Sequence, residues 1–467
     1  MGIFNVFQTG VSALYSNGQA LSVASQNIAN VNTPGYSRQE IVFESANAQK
    51  IGNIELGLGV SVKQVKRIYD QYAESRVVNA QMQNGEFSSM VQNLQQIESV
   101  FNDLSDDGLG ESIQSFFSGF QELSVDPSSL ALRKDVLEKA DTLIDRFHTL
   151  DQSLSDAREF IDVDIQEKVD SINQLTSEIV DLNLKIKGAT DDSDLVLRDK
   201  RTLKIAELAQ YIDVTSVESS DGVFQVYAAQ GIPLVNGASR GVLQIESDPG
   251  NDNLSSITFV VGSGTAEDIT DRISGGALQG LLNVRDTMIP AYKDQLDELA
   301  YRISEDVNDL HSTGYGLDGV TSRDFFTSLG SSSNAARLLS FDAAIDDNPS
   351  AIATSGTAAD LPGGNSIARQ IADLVNQDSS FVNGNASYIN FYGSFLGQIG
   401  SDSSNYQSKA NFASTVLNQA QIQREKISGV SLDEEQISLI RFQSAFQASA
   451  KMIQSASEML DQILQLQ

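Results

Sequence analysis

The chain has 467 residues, room for about three ordinary domains, and 40% of them are apolar, enough to fill real cores. With 31 basic against 62 acidic side chains its formal net charge is −31, which makes nucleic acid and anionic lipid surfaces poor partners. There is no cysteine, so a disulfide framework, a thiolate metal site and a thiol nucleophile are excluded, and no stretch approaches the roughly 18 consecutive apolar residues of a membrane span.

The first 37 residues carry no charge, and Arg38 is the first charged side chain. Within them Phe4, Phe7, Val11, Leu14, Leu21 and Ile28 follow an alternating three-and-four repeat, with Gly18 and Ser25 filling the intervening positions. That spacing predicts a coiled-coil-like helix. Its other positions are Ser, Asn, Gln, Thr, Gly and Ala, which can be buried if hydrogen-bonded, whereas a buried unpaired charge costs far more. The segment lacks the basic region and apolar core of a cleavable signal, so a protein of this kind leaving the cytoplasm is expected to keep its N-terminus intact.

The helix stops at Asn30-Val-Asn32-Thr33-Pro34-Gly35-Tyr36. Pro34 cannot continue it, Thr33 is driven toward extended geometry, and Gly35 can take a positive φ. Tyr36 to Phe43 reads as a short strand.

Long helical patterns fill residues 70–190, clearest in Leu154, Ala157, Ile161, Ile165, Val169, Ile172, Leu175, Ile179, Leu182 and Ile186. Successive four-residue steps in that run form a stutter, which relaxes a left-handed supercoil. Partner helices are offered by Ile289, Tyr292, Leu296, Leu299, Ile303 and Leu310, and by Tyr406, Ala413, Leu417, Ala420 and Ile427. These three segments are expected to pack as a rod. Residues 213–275 change character: Val223–Tyr227, Val242–Glu246 and Ile257–Val261 read as strands, with turns at Asp221-Gly222 and Asp248-Pro-Gly250. Residues 316–404, rich in Ser, Gly, Asn and Asp, read as an irregular, outward-facing insertion.

At the C-terminus the seam returns with Leu439, Phe442, Phe446, Ile453, Ala456, Leu460 and Ile463, and residues 436–467 carry only Arg441, Lys451, Glu458 and Asp461 as charges. Helices so poor in charge look made to be surrounded by protein. One reading is that both ends are marginal alone and fold when neighbouring copies cover them; the other is that they pair with each other within one chain. The fold class is therefore mainly α with an inserted β domain, an elongated rod with both terminal helices at one end. The boundaries are 1–65 and 430–467 for a terminal assembly unit, 66–212, 276–315 and 405–429 for the rod, 213–275 for the β domain and 316–404 for the second insertion.

Catalytic material is scarce. Only His148 and His311 are present, and no Gly-rich phosphate loop follows a strand. His148 lies beside a rod repeat, and His311 ends a rod helix, where it can meet terminal carbonyls. The acidic clusters at Asp162-Val-Asp164, Asp191-Asp-Ser-Asp194 and Asp248–Asp252 lack calcium-loop spacing. No catalytic, cofactor or metal site is expected, and a paired-carboxylate hydrolase within an insertion is the residual enzymatic alternative.

Leu21-Ser-Val-Ala-Ser-Gln-Asn-Ile-Ala-Asn-Val-Asn-Thr-Pro-Gly-Tyr-Ser-Arg38 resembles the N-terminal signature of the bacterial flagellar axial proteins. Ser428-Gly-Val-Ser-Leu-Asp-Glu-Glu435 with Phe442-Gln-Ser-Ala-Phe-Gln-Ala-Ser-Ala450 resembles their C-terminal signature. In the middle, Leu195-Val-Leu-Arg-Asp-Lys-Arg201, Asp221-Gly-Val-Phe-Gln-Val-Tyr227, Gly231-Ile-Pro-Leu-Val-Asn-Gly237, Gly275-Gly-Ala-Leu-Gln-Gly-Leu-Leu-Asn-Val-Arg-Asp286 and Val307-Asn-Asp-Leu-His-Ser-Thr-Gly314 are similar to the first hook-associated protein family. The resemblance implies a non-enzymatic subunit at the hook–filament junction, outside the cell, exported unfolded through the flagellar secretion channel. It implies the hook protein, the next hook-associated protein and further copies of itself as partners, with an export chaperone on the C-terminal helix. Subunit contacts would then fall on the twelve large seam residues from Phe4 to Ile463, with the turn at Asn30, Asn32, Thr33, Pro34, Gly35 and Tyr36 as family motif. A hook or distal rod protein is the alternative within the group.

Overall fold

The computed structural model describes residues 2–46, 49–51, 54–101, 108–189, 194–219, 223–262 and 264–465. The turn at Asp221-Gly222 and the acidic pair Asp191-Asp192 lie outside the described residues. Helix α1 (Gly2–Ala29) leads into β1 (Gln39–Ser45), β2 (Gln49–Ile51), β3 (Ile54–Leu56) and β4 (Val60–Arg67). β1 pairs antiparallel with β4, and β2 with β3. The β1–β4 ribbon lies on α1, where Ser12 and Ser16 donate to the carbonyls of Leu58 and Val60 at 3.2 and 3.1 Å. A charge-free helix can accept a sheet on its polar flank because hydroxyls there satisfy backbone groups.

The rod begins at α2 (Gln71–Val100), whose first turn is capped by the Asp70 carboxylate accepting from the amides of Tyr72 and Ala73. It continues through α3 (Leu109–Val125) and α4 (Leu130–Gly188). α4 has 59 residues, about 90 Å at 1.5 Å per residue. After α5 (Asp194–Ala209), strands β5 (Thr215–Glu218), β6 (Phe224–Ala228), β7 (Ile232–Asn236) and β8 (Ser239–Arg240) form one antiparallel sheet in chain order. β9 (Val242–Ser247), β10 (Ser255–Val260) and β11 (Glu267–Asp268) form a second sheet with β10 central. α6 (Gly276–Asn283) passes through a π turn at Val284–Met288 into α7 (Ile289–His311).

Both sheets dock on α4 through buried or half-buried asparagines. Asn173 donates to the Leu243 carbonyl at 2.8 Å and accepts from its amide at 3.0 Å. Asn183 donates to the carbonyls of Phe224 and Gly237. Val226, Leu234, Leu243 and Ile257 share one contiguous core with Ile165, Ile172 and Ile179 of α4. The β segment is therefore a layer on the rod helix rather than a separately cored unit.

Residues 316–404 differ from the expected irregular surface insertion. α8 (Ala335–Leu338), α9 (Ser366–Asp373) and the hairpin β12 (Ser379–Phe381)–β13 (Gly384–Ala386) occupy part of the segment. From Tyr388 onward the chain already belongs to α10 (Tyr388–Ser428), which precedes α11 (Leu432–Gln465). Phe325 and Phe326 are fully buried and meet Phe116 of α3 at ring distances of 5.7 Å. Buried Arg133 of α4 donates to Pro127, Ile352 and Thr354, clamping the loop to the helix. The apolar residues responsible have no period, so no repeat marks them as core.

The helix pairing within the rod also differs. α10 runs antiparallel along α2, with Phe101 against Phe395, Phe87 against Tyr406, and Arg76 donating to Gln423. The contact in its C-terminal half joins Val77 and Ala80 of α2 to Ala420, with Val416 and Leu417 half-buried beside them. At Gly85 an added Cβ would strike the Gln210 carbonyl, so α2 can approach the end of α5 only without a side chain there.

His311 does not cap its own helix. Its Nδ1 meets the Arg323 carbonyl at 2.8 Å and its Nε2 accepts the Ala353 amide proton at 2.8 Å, which fixes the neutral imidazole. Burial lowers its pKa from 6.5 to about 4. The unfolded chain takes up this proton below pH 6.5 and the folded one only near pH 4, so the neutral-state stability is complete above 6.5 and declines as pH falls to 4. Comparing His311→Leu with the parent protein by urea unfolding from pH 7 to 4 should show the parent losing about 3 kcal/mol more than the variant. Equal losses would show that His311 is not held neutral.

Candidate functional site

α1 and α11 pack antiparallel. A Cβ on Gly10 would lie 2.9 Å from Ile453 Cγ1, and one on Gly18 3.5 Å from the Phe446 ring, while Asn27 meets Glu435. The two ends are thus folded and paired within one chain, correcting the expectation that they order only with neighbours. Glycines on α1 let the large α11 side chains sit close to its backbone, which needs no partner copy. Phe442 packs on Phe43 of β1 at 6.2 Å, and Leu439, Phe446, Ile453 and Leu460 are half-buried. On α1, Leu14, Leu21 and Ile28 are half-buried, while Gly10, Ser16, Ala20, Ala24 and Asn27 are buried.

The other seam residues face outward. Phe4 is 66% exposed, and Phe7, Val11 and Ile463 are also exposed, as is Tyr15 at 67%. A straight helix rotates a strict seven-residue repeat by about 20° per heptad, so a seam cannot follow one partner along its whole length. The outward faces of α11 carry Ile437, Ile440, Met452 and Met459. Intramolecular pairing therefore covers one flank of each helix and leaves apolar, nearly charge-free flanks open.

The motif turn is the joint between this pair and the rod. Asn30 donates from Nδ2 to the Gln26 carbonyl at 2.9 Å, and Thr33 donates to Asn30 Oδ1 at 3.1 Å, closing the helix end locally. Asn32 and Pro34 are exposed, and Gly35 takes φ 75°. Tyr36 is buried, donates to Asn27 Oδ1 at 2.9 Å, and has its pKa pushed up to about 12 by burial and by the fields of Asp199 and Glu435. Asn27 completes the turn by accepting the Gln39 amide at 3.0 Å and donating to the Gln39 carbonyl at 2.9 Å and to Glu435 at 3.1 Å.

Four long-range ion pairs bolt the turn down. Arg38 donates to Glu435 at 2.7 Å and Glu434 at 2.8 Å, both at the start of α11. Asp199 of α5 accepts the Ser37 amide at 2.9 Å and pairs with Arg67 of β4 at 2.9 Å. Arg424 of α10 pairs with Glu74 of α2 at 2.8 Å, and donates to the Gly35 carbonyl at 2.9 Å and to Ser37 at 3.2 Å. Six elements meet here: α1, the ribbon, α2, α5, α10 and α11. Sequence reasoning placed the turn, and quoted Asn27, Asp199 and Glu435 within motifs, but missed Arg424 and Glu74; a lone acid or base in a helix gives no local signal of a distant partner.

Elsewhere the acidic clusters are engaged by arginine. Asp162 pairs with Arg285 at 2.6 Å and Asp252 with Arg158, tying the turn before β10 to α4 and the π turn. His148 meets the Leu339 carbonyl at 2.9 Å. Among the described residues no group of three or more His, Asp and Glu side chains could hold a metal ion, and no helix is long and apolar enough to cross a membrane.

Comparison with known proteins defines the class from the two ends. Residues 7–36 match a flagella basal body rod protein model, and residues 423–466 a flagellar basal body rod FlgEFG C-terminal model. Those matches end at Tyr36 and begin beside Arg424, so both border the joint, and the chain is of the flagellar axial class. Residues 94–326 match the helical domain of the flagellar hook-associated protein FlgK, and the chain belongs to the flagellar hook-associated protein 1 family. It is 26% identical to flagellar hook-associated protein 1 of Bacillus subtilis over 499 aligned positions, covering 99% of this chain and 98% of that one. To the Salmonella typhimurium protein of the same name it is 25% identical, covering 98% of each. The solved flagellar hook junction protein FlgK from Burkholderia pseudomallei shares the fold, with a TM-score of 0.66 at 16% identity over 75% of this chain and all of that one.

Removing Arg424 would leave the Glu74 carboxylate buried alone, a situation costing about 3–5 kcal/mol. Arg424→Met should lose that much in urea unfolding, and adding Glu74→Gln should restore part of it. Full additivity of the two changes would show that the pair is not coupled.

Proposed function

We propose that this chain is a non-enzymatic structural subunit of the bacterial flagellum at the hook–filament junction, joined to further copies through α1 and α11. The observation that carries the assembly reading is the charge-free α1, which is covered on one flank and presents Phe4, Val11 and Tyr15 on another. Monomeric proteins rarely expose such contiguous apolar faces without a partner. The junction reading is supported by relatives named hook-associated protein 1 over nearly the full chain. The match of residues 94–326 to the hook-associated helical domain favours it over a hook or distal rod protein.

In this reading residues 1–65 and 430–467 form the assembly unit, and its contacts include the large seam residues that remain half-covered or open. Residues 66–212, 276–315 and 388–429 form the rod, with 213–275 and 316–387 packed upon it. The partners are the hook protein on one side and the next hook-associated protein on the other. The open flank of α11 is where an export chaperone docks before assembly, and export leaves the N-terminus uncleaved. Arg158 holds Asp252 of the β segment and Arg285 holds Asp162 of α4 in ion pairs, which suits a structural part better than hydrolytic carboxylates.

The test uses cells lacking their own copy of the gene. Tyr15→Glu changes an outward residue, so its secretion and circular dichroism should match the parent while incorporation into flagella falls about tenfold, one charge in an apolar interface costing upward of 1.4 kcal/mol. Phe446→Glu attacks the intramolecular pair instead and should also expose α1 to limited proteolysis. Incorporation of Tyr15→Glu at the parent level would overturn the reading.

A further inference from the structure

We propose that the outer face of α10, from Phe412 to Ile422, is a second contact between neighbouring copies of this chain, distinct from the terminal helix pair. The proposal rests on the assembly reading above and extends it into the rod. The N-terminal part of α10 is anchored in the core by Tyr388, Tyr392, Phe395 and Ile399. Beyond them the helix lies on α2 through Ala410, Ala413 and Ala420, all buried, and its remaining faces are open. Phe412 there is 69% exposed, and Ile422 is also exposed.

Charge identifies the occupant. Residues 388–423 carry only Asp402 and Lys409, and 410–423 carry none, where the chain's average composition would place about seven charges in the longer stretch. A basic partner would gain most on acidic faces, such as that around Phe160 of α4, which is flanked by exposed Asp156, Glu159 and Glu167. A second copy of a chain with net charge −31 has the opposite need. Like charges brought together across an interface cost several kcal/mol, so two such copies approach most readily where neither presents carboxylates. The neutral polar residues of this face, Asn411, Ser414, Thr415, Asn418 and Gln419, suit a hydrogen-bonded contact of that kind.

The absence of native cysteine permits a direct test in the full-length chain. Phe412→Cys, Tyr15→Cys and Phe160→Cys are each labelled with maleimide as secreted monomer and within assembled flagella. All three should react in the monomer; on assembly, Phe412→Cys and Tyr15→Cys should lose about tenfold in rate, as sites shut off from water do, while Phe160→Cys stays reactive. If Phe412→Cys is not incorporated, Gln419→Cys reads the same face. A reactive Phe412→Cys beside a protected Tyr15→Cys overturns the rod contact alone; a reactive Tyr15→Cys overturns the terminal-helix reading itself. Benzophenone-maleimide at residue 412 should yield a dimer of this chain after irradiation, and an adduct with any other protein would overturn the choice of a second copy.

Discussion

The Arg424 guanidinium is the interaction on which the arrangement of the molecule depends. It pairs with Glu74 on the first rod helix and holds the backbone carbonyl of Gly35 and the hydroxyl of Ser37 in the turn. Without a cation at this place, the carboxylate and carbonyls would be buried without a donor, and the three chain segments would have no reason to converge. Arg38, by reaching Glu434 and Glu435, fixes the start of α11 against the same turn. The charge-free N-terminal segment ends where the joint begins because the first charged residue of the chain is one of the joint's pins.

That constraint organises the rest. The terminal pair sits on one side of the joint, with its apolar flanks open. On the other side the rod is a single cored body in which α4 carries both sheets and the packed loops, so the terminal pair is held by a body that does not come apart into independent pieces. The division agrees with the family matches, which change from axial signatures to the hook-associated domain across the same region.

How much of this could be read from sequence depended on whether a contact had a period. α1, α4, α7 and α11 announce themselves through large apolar residues at helical spacing, and Pro34-Gly35 marks the turn. The spacing of α10 was read from Tyr406, Leu417 and Ala420, but its pairing with α2 was not, because the partner side at Val77 and Ala80 is small and the aromatic contacts of Phe87 and Phe101 are too widely spaced to draw a stripe. The core around Phe325 and Phe326 was mistaken for surface because its residues come from aperiodic loops surrounded by Ser, Gly and Asn. At the joint, Glu74 and Arg424 lie 350 residues apart, and no local pattern joins them. The seam itself was half legible: spacing found the helices, but which residues face the partner was decided by Gly18, a position that seemed to be a gap, and by Gly10, which lies off the repeat.

The joint has a mechanical consequence. Two covalent strands leave the terminal pair, one through Tyr36 into β1 and one running back from Ser431 into α10, and they are laced together where the Arg38 amide donates to the Ser428 carbonyl. A twist or pull applied to α1 and α11 therefore enters the rod along both strands at once. The bonds of Arg424, Arg38 and Asp199 join the same turn to different elements, so the load on the joint is shared among them. A coupling built in this way transmits torque between two stiff bodies while keeping their axes in a fixed relation.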